Sequence, residues 1–133
     1  VTGQSSSPVS WQMLPSYYEP WGYTPLESIA FHVPTVTTDL AGFGLWVNSL
    51  KGRFSELADG VKVIHRTDYN YSEVADVIKD TVSDFSALSA AEIKKIRKNA
   101  AAIAEKALWK HFIQYYYEAY DIALRNAEKR LAL

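Results

Sequence analysis

The chain has 133 residues and a formal net charge of −1, and 48% of its residues are hydrophobic and 22% are charged, as in ordinary globular proteins. A net charge so close to zero gives no reason to expect nucleic acid or an anionic membrane as a partner. The sequence has no cysteine, which excludes disulfides and thiolate chemistry, and no apolar run approaches the roughly 20 residues that span a bilayer.

The first ten residues are rich in serine and lack the basic and apolar regions of a signal peptide. We therefore expect residues 1–10 to be a disordered tail or an expression remnant. The missing signal peptide and the absence of cysteine favour a reducing compartment and predict a cytoplasmic protein. Residues 11–133 have the size of one domain or of a piece of one, and residues 11–14 are predicted to form a short strand.

Two carboxylates, Glu19 and Glu27, are separated by seven residues across a turn that contains proline and glycine. Thr24 and Glu27 have the spacing of a capping box with Pro25 at the first helical position, so a helix is predicted over residues 25–32. A helix that begins after a glycine-containing loop directs several unpaired N–H groups at one point, and its dipole favours an anion there. A phosphate-sized anion is expected to fit at this helix start, with Glu19 on the loop beside it, and this combination suggests a nucleotide-sugar site.

The segment that follows predicts two more strands with a helix between them. Residues 35–38 are all β-branched and predict a strand, and residues 61–66 alternate in polarity and predict the next one. A short helix is predicted over residues 43–50. Gly42 and Gly44 at its start form a second glycine-rich loop, which is a weak signal when taken alone.

The second half of the chain predicts helices. Asn70 is a candidate N-cap before an apolar stripe of helical period, and Ser89 with Glu92 forms a second capping box. The last helix, over residues 109–131, carries aromatic residues at i, i+3, i+4 and i+7. This spacing is typical of a buried helix face, so we interpret these rings as core in preference to a surface that stacks on carbohydrate.

Three of these segments resemble one known family. Residues 15–27 resemble the E-x7-E segment of retaining glycosyltransferases of the GT-B fold, and more narrowly that of the glycogen synthases of glycosyltransferase family 3. Residues 34–44 resemble that family's next strand and glycine-rich loop, and residues 108–117 resemble its C-terminal aromatic helix. The resemblance implies an α/β fold, namely a partial Rossmann-like C-terminal half-domain of a GT-B enzyme with short strands and a helical C-terminal half.

In domain terms, the resemblance implies that residues 11–133 are a fragment of the C-terminal nucleotide-sugar-binding domain, with the C-terminal helices in residues 89–133. The implied parent enzyme transfers glucose, with retention, from UDP- or ADP-glucose to the non-reducing end of an α-1,4-glucan. The nucleotide of the donor stays open between these two. The family implies no metal and no other cofactor, and His32, His65 and His111 show no ligand-like spacing.

The resemblance also assigns roles to individual residues of the first motif. It places Glu19 close to the donor sugar, where a carboxylate stabilises the positive charge that develops at the anomeric carbon. It gives Glu27 the ribose hydroxyls, although the same carboxylate is expected to cap the helix at Thr24. Donor sugar and distal phosphate are assigned, mainly through backbone N–H groups, to Trp21, Gly22, Tyr23 and Thr24.

Three interpretations of the chain remain open, and two expectations follow from its being a fragment. The chain is either part of a glycogen synthase-type enzyme, part of another GT-B sugar transferase, or a non-catalytic helical interaction module. As a fragment without the family's upstream Arg/Lys pair, it is expected to be inactive and to self-associate. A basic cluster on the middle helix matches the family's regulatory arginines only at Arg97, so we interpret it as a solvated face; its members are Lys94, Lys95, Arg97 and Lys98.

Overall fold

A computed structural model of the chain describes residues 11–131, and the tail predicted for residues 1–10 lies outside the described residues. Strands and helices alternate in the first half of the chain, and the second half is helical. None of the helices described is long and apolar enough to cross a membrane. In chain order the elements are β1 (Gln12–Met13), α1 (Tyr23–Ala30), β2 (Thr35–Thr38), α2 (Gly42–Lys51), β3 (Val61–Ile64), α3 (Tyr71–Ala87), α4 (Ala90–Lys106) and α5 (Trp109–Leu131).

The three strands form one parallel sheet in the order β1-β2-β3. Thr35 of the central strand is paired with both Gln12 of β1 and Val61 of β3. All four residues of β2 are buried, because β2 has a strand on each side and helices cover the sheet. The predicted strand at residues 35–38 is therefore confirmed, whereas the strands predicted at residues 11–14 and 61–66 are each two residues shorter than expected.

Two apolar clusters show that helices pack on both faces of the sheet. Val61 and Val63 of β3 face one cluster, and Ile64 faces the other, because side chains alternate along a strand. The first cluster joins β3 to α1, α2 and α4 and contains Ile29, Phe43, Val47, Val61, Val63, Ala100 and Ile103. The second joins β2 and β3 to α3 and contains Val36, Ile64 and Val74. Short parallel strands between helical layers make this an α/β fold.

A close backbone contact fixes α4 against the amino end of β3. Gly60 has a φ of 96°, and a Cβ atom placed on it would lie 2.3 Å from the backbone nitrogen of Ala100. The side chain of Asn99 donates a hydrogen bond to the carbonyl of Ala58 at 2.8 Å beside this contact. Only glycine permits both the left-handed backbone and the approach of a helix to this distance.

The start of α1 differs from the prediction. The helix begins at Tyr23, its N-cap is Gly22 with a φ of 104°, and it has no side-chain cap. The expected capping box of Thr24 and Glu27 with Pro25 at the first position is wrong, because Thr24 is the second residue of the helix and not its N-cap, and Pro25 is the third. The reason is that Gly22 turns the chain in a left-handed conformation, which starts the helix two residues before the sequence signal for a cap.

The later helix starts were predicted more closely. Asn70 is the N-cap residue of α3, but its side chain accepts a hydrogen bond from the N–H of Thr67 and donates to the carbonyl of His65. At α4 the capping box of Ser89 and Glu92 is present as predicted. The hydroxyl and the N–H of Ser89 both donate to the Glu92 carboxylate, at 2.6 and 2.8 Å, and these hydrogen bonds hold the pKa of the exposed Glu92 carboxyl below its usual value.

The aromatic face of α5 was predicted to be core, and this prediction is wrong. None of the described residues of α5 is buried, although Phe112 and Ile113 are half-buried. Trp109 and Tyr116 pack on each other with ring centroids 5.0 Å apart and are still 59% and 48% exposed. Helical spacing predicts an apolar face correctly, but it does not specify what covers that face.

Asp59 forms a charged cluster before β3 that makes stability depend on pH. Its carboxylate lies 3.1 Å from Lys51 Nζ and 2.9 Å from Arg53 Nη2, and it accepts a hydrogen bond from the N–H of Glu56 at 3.0 Å. Partial burial raises the pKa of Asp59, but the hydrogen bond from Glu56 and the two cations together outweigh it. The pKa of Asp59 therefore lies below its usual value.

We predict that Asp59→Asn lowers the free energy of unfolding by about 1 kcal/mol at pH 7. A carboxyl whose pKa is depressed in the folded state stabilises the fold above its unfolded pKa, and this contribution disappears as pH falls through the folded pKa. The difference between wild type and variant should thus shrink as pH falls below about 4. Urea unfolding at pH 7 and at pH 3 checks this, and a difference that is constant or grows in acid contradicts it.

Candidate functional site

The candidate site lies at the carboxyl edge of the parallel sheet, where the strands end and loops begin. The loop between β1 and α1, residues 14–22, passes this edge and carries Glu19. The segments that follow β2 and β3 meet it there. In α/β proteins ligands bind outside the carboxyl ends of parallel strands, so the position agrees with a binding role.

The backbone of Glu19 is fixed against the segment that follows β2. Glu19 forms a parallel bridge with Ala41: its N–H donates to the carbonyl of Leu40 at 3.4 Å, and its carbonyl accepts from the N–H of Gly42 at 3.2 Å. The side chain is half-buried and takes no part in the bridge. The fold thus holds this residue by its main chain and leaves its carboxylate for other contacts.

The side chain of Glu19 lies next to the start of α1. A Cβ atom on Gly22 would lie 3.6 Å from Glu19 Cγ and 3.2 Å from Pro25 Cγ. Because α1 has no side-chain cap and no acidic residue in its first turn, the N–H groups of Tyr23 and Thr24 are not neutralised from within the helix. The fold therefore brings one carboxylate and the positive end of a helix dipole to the same place.

The ring of Trp21 packs inward, although this residue was assigned to donor binding. Its carbonyl accepts a hydrogen bond from the N–H of Phe43 at 2.6 Å. Its ring lies 6.4 Å from the ring of Phe43, 5.9 Å from that of Trp46 and 6.4 Å from that of Phe112, measured between centroids. We call these four residues the aromatic cluster. The ring of Trp21 thus packs against α2 and α5, and the role of its backbone in donor binding stays a prediction.

Gly42 and Gly44 allow the start of α2 to approach the site closely. A Cβ atom on Gly42 would lie 2.3 Å from the carbonyl oxygen of Pro20, in the loop that carries Glu19. On Gly44 it would lie 2.2 Å from the carbonyl oxygen of Thr38, at the end of β2. The second glycine-rich loop is thus a packing feature of the site, since larger residues would push α2 away from the loop.

The remaining predicted site residues lie along α1. Thr24 is exposed in the first turn and its carbonyl accepts a hydrogen bond from Ser28 Oγ at 2.9 Å. Tyr23 is 70% exposed. Glu27 is exposed one turn into the helix, free of the cap that had been predicted for it. Glu19 and Gly22 are therefore brought together at the helix start, and Glu27 is set apart from them along the helix.

A polar cluster at the same edge was not found by sequence reasoning. Asp39 follows β2, and its carboxylate lies 2.6 Å from His65 Nδ1 and accepts a hydrogen bond from the N–H of Arg66 at 2.9 Å. The guanidinium of Arg66 donates to the carbonyl of Pro15 at 2.6 Å. The signal that could have found it is topological, because Asp39 and His65 are the first residues after adjacent parallel strands.

Comparison with known protein families identifies the family to which the chain belongs. Residues 9–130 match the family model described as glycogen synthase. The chain belongs to the glycogen synthase family. It is 30% identical over 84% of its length to the glycogen [starch] synthase of Neurospora crassa. It is 29% identical over 86% of its length both to glycogen [starch] synthase isoform 1 of Saccharomyces cerevisiae and to the liver glycogen [starch] synthase of Mus musculus.

The chain spans only 16% of the length of each of these three glycogen synthases. The match includes the loop with Glu19, the whole sheet and nearly all of the helices, because it runs from residue 9 to residue 130. Family membership thus agrees with the resemblance carried by the first motif.

Two surface grooves of this glycogen synthase-family chain lie beside α4 and α5. An apolar groove of about 390 Å³ is lined by Trp21, Tyr23, Leu26, Ala107, Trp109, Phe112 and Tyr116. The basic cluster borders a shallow groove next to His32, with Lys94, Lys95 and Lys98 exposed and Arg97 half-buried, as a solvated face predicts. Between residues 11 and 131, no group of three or more His, Asp or Glu side chains is arranged to hold a metal ion.

Proposed function

We propose that this chain supplies the donor-binding part of a retaining glucosyltransferase of the glycogen synthase type. In the full-length protein, glucose would move from UDP- or ADP-glucose to the non-reducing end of an α-1,4-glucan. The observation that carries the proposal is the position of Glu19 in a glycogen synthase-family chain. Its backbone is held by the bridge to Ala41, and its side chain lies at the uncapped start of α1.

Glu19 is the proposed catalytic carboxylate. As the bond between the anomeric carbon and the phosphate breaks, positive charge develops on the sugar ring, and a carboxylate fixed nearby lowers the energy of that state. The main-chain bridge supports this role, since a carboxylate must be held in place before the reaction in order to stabilise a transition state. A solvated loop carboxylate without such constraints would lose much of this effect.

The start of α1 is the proposed site for the sugar and the distal phosphate of the donor. Backbone N–H groups of Trp21, Gly22, Tyr23 and Thr24 would contact them, because the start of this helix has no side-chain cap. The leaving diphosphate is anionic, so the dipole of α1 favours it. Glu27, exposed one turn further on, is proposed to accept hydrogen bonds from the ribose hydroxyls.

The parallel sheet with helices on both faces supports a finer proposal about architecture, to which we add one about location. We place the chain in the C-terminal Rossmann-like domain of a GT-B enzyme in the cytoplasm, with no metal or other cofactor in the transfer. Residues 11–133 then form part of that domain, and residues 89–133 form its C-terminal helices.

A donor panel tests the proposed reaction. A full-length protein that carries this chain is incubated with glycogen and with UDP-glucose, ADP-glucose, UDP-galactose or GDP-mannose, and glucan extension is measured. We expect extension with at least one of the glucose donors and little with the others. A strong preference for a donor other than a glucose donor assigns the chain to another GT-B transferase and overturns the proposal. Absence of any transfer together with glycogen binding indicates a non-catalytic module.

We predict no turnover by the isolated 133-residue chain. It corresponds to 16% of the length of its relatives, and the family's acceptor domain and basic phosphate-binding pair are expected in the remaining part. Incorporation of labelled glucose into glycogen is measured with the chain alone and with the full-length protein as the positive control. Incorporation by the chain above the enzyme-free background contradicts the prediction.

We also propose that the isolated chain self-associates through α5. The aromatic side chains of this helix are largely exposed, with Tyr117 and Tyr120 each at about 60%. Light scattering at high protein concentration should give a mass above the 15.0 kDa of one chain. Tyr120→Glu should return the mass to that of a monomer, and Tyr69→Glu, which changes a tyrosine outside α5, should not. A wild-type chain with the mass of a monomer contradicts the proposal.

A further inference from the structure

We propose that Arg66 is a positioning residue that holds the Glu19 loop in its reactive place. This inference rests on the proposed function, because it concerns how Glu19 is presented to the donor. Arg66 lies two residues after β3, at the carboxyl edge of the sheet. Its side chain extends across this edge to the loop between β1 and α1.

The guanidinium of Arg66 makes two contacts with the early part of the loop. Its Nη1 donates to the carbonyl of Pro15 at 2.6 Å, and its central carbon lies 5.3 Å from the centre of the Tyr17 ring. A planar guanidinium is suited to make both contacts at once, with one edge donating and one face on a ring. The hydroxyl of Tyr17 in turn donates to the carboxylate of Asp68, which holds the ring from its far end.

Arg66 is itself fixed in place by Asp39. Its N–H donates to Asp39 Oδ1 at 2.9 Å, and Asp39 Oδ2 lies 2.6 Å from Nδ1 of His65. The N–H of Asp39 donates to the carbonyl of Ile64 at 3.1 Å, so the segments after β2 and β3 are tied to each other by main chain and side chain. The side chain of Asp39 is only 13% exposed, which protects these contacts from water.

The loop is thus held before Glu19 as well as at Glu19. Thr38 Oγ1 donates to the carbonyl of Ser16 at 2.6 Å, one residue after the carbonyl that Arg66 contacts. Glu19 is held through its bridge to Ala41. Loss of the Arg66 side chain removes the hydrogen bond to Pro15 and one face contact of the Tyr17 ring, so the loop before Glu19 is left with its contacts to Thr38 and Asp68. Because displacement of a catalytic group by 1 Å costs on the order of 100-fold in rate, the expected effect is on the chemical step.

The test measures kinetics and hydrogen exchange in the full-length protein. We expect Arg66→Ala to lower kcat by about 10- to 100-fold and to change the KM for the donor by less than about three-fold. Arg66→Lys, which keeps a cation and a donor for Pro15, should recover part of kcat. In exchange followed by mass spectrometry, peptides that cover residues 14–20 should exchange faster in Arg66→Ala. Arg53→Ala, which removes an arginine before the opposite end of β3, is the control.

The exchange measurement separates this inference from the proposed function, because it needs no activity. Unchanged exchange in residues 14–20 overturns the role of Arg66 whatever the activity. Faster exchange with unchanged kcat also overturns it, since the loop position would then not matter for the reaction. A rise in donor KM alone overturns it as well, because Arg66 would then act in binding. If the wild type shows no glucan synthesis, the proposed function fails while exchange still reports whether Arg66 holds the loop.

Discussion

Replacing Glu19 by glutamine should lower kcat for glucan extension by about 1,000-fold in the full-length protein. This corresponds to about 4 kcal/mol of lost transition-state stabilisation. The substitution removes the negative charge and keeps the size and most of the hydrogen-bonding capacity of the side chain. Both hydrogen bonds that hold Glu19 to the segment after β2 use its backbone, so the variant should keep the fold of the loop.

The matched control for this substitution is Glu27→Gln. Glu27 is exposed on α1, and its proposed contact with ribose contributes equally to the ground state and the transition state. We expect the KM of the Glu27→Gln variant for the donor to rise several-fold, while its kcat stays within about three-fold of wild type. If Glu19→Gln retains kcat within three-fold of wild type, Glu19 is not the catalytic carboxylate.

Gly60→Ala should destabilise the fold by about 3 kcal/mol or more. Two costs add at this position, since the φ of 96° is unfavourable for an L-residue and the new methyl group has no room. The atoms in its way are backbone atoms of Ala100 in the middle of α4, 2.3 and 2.6 Å from the added carbon. A helix backbone cannot rotate aside as a side chain does, so α4 as a whole must shift away from β3.

Gly52→Ala separates these two costs. Gly52 also has a left-handed backbone, with a φ of 65°, but no atom lies within 4 Å of the position of its Cβ. The free energy of unfolding of the Gly52→Ala variant should fall by only about 1 kcal/mol, which is the cost of backbone strain. Urea unfolding of both variants followed by circular dichroism measures the difference. Equal losses in the two variants would mean that the contact between Gly60 and α4 does not contribute.

Local signals in the sequence predicted those elements that local forces determine. The β-branched residues of β2 favour a strand by themselves, whatever packs on it. The capping box of Ser89 and Glu92 involves only four consecutive residues, so it needs no distant contact. The start of α1 was predicted wrongly because a second candidate cap at Thr24 competes with the left-handed turn at Gly22. That turn is favoured by tertiary contacts, since the ring of Trp21 packs in the aromatic cluster immediately before it.

The candidate site was predicted only in part, because some of its residues are close in sequence and others are brought together by the sheet. The E-x7-E spacing identified Glu19 and the helix start beside it, because both lie within one short segment. Asp39, His65 and Arg66 were missed, since the contacts between them join positions 26 and 27 residues apart through the parallel register of β2 and β3. Predicting them requires the order of the strands, which periodicity within a single strand does not contain.

The aromatic cluster couples two parts of the molecule that would otherwise move independently. Trp21 belongs to the donor loop, Phe43 and Trp46 to α2, and Phe112 to α5. If a donor binds at this loop and shifts it, we expect α5 to respond, and a partner that shifts α5 should affect donor binding with the same coupling free energy, because such coupling is reciprocal. Because Glu19 lies in the same loop as Trp21, we expect a contact made at α5 to reach the proposed catalytic carboxylate from outside the proposed donor site.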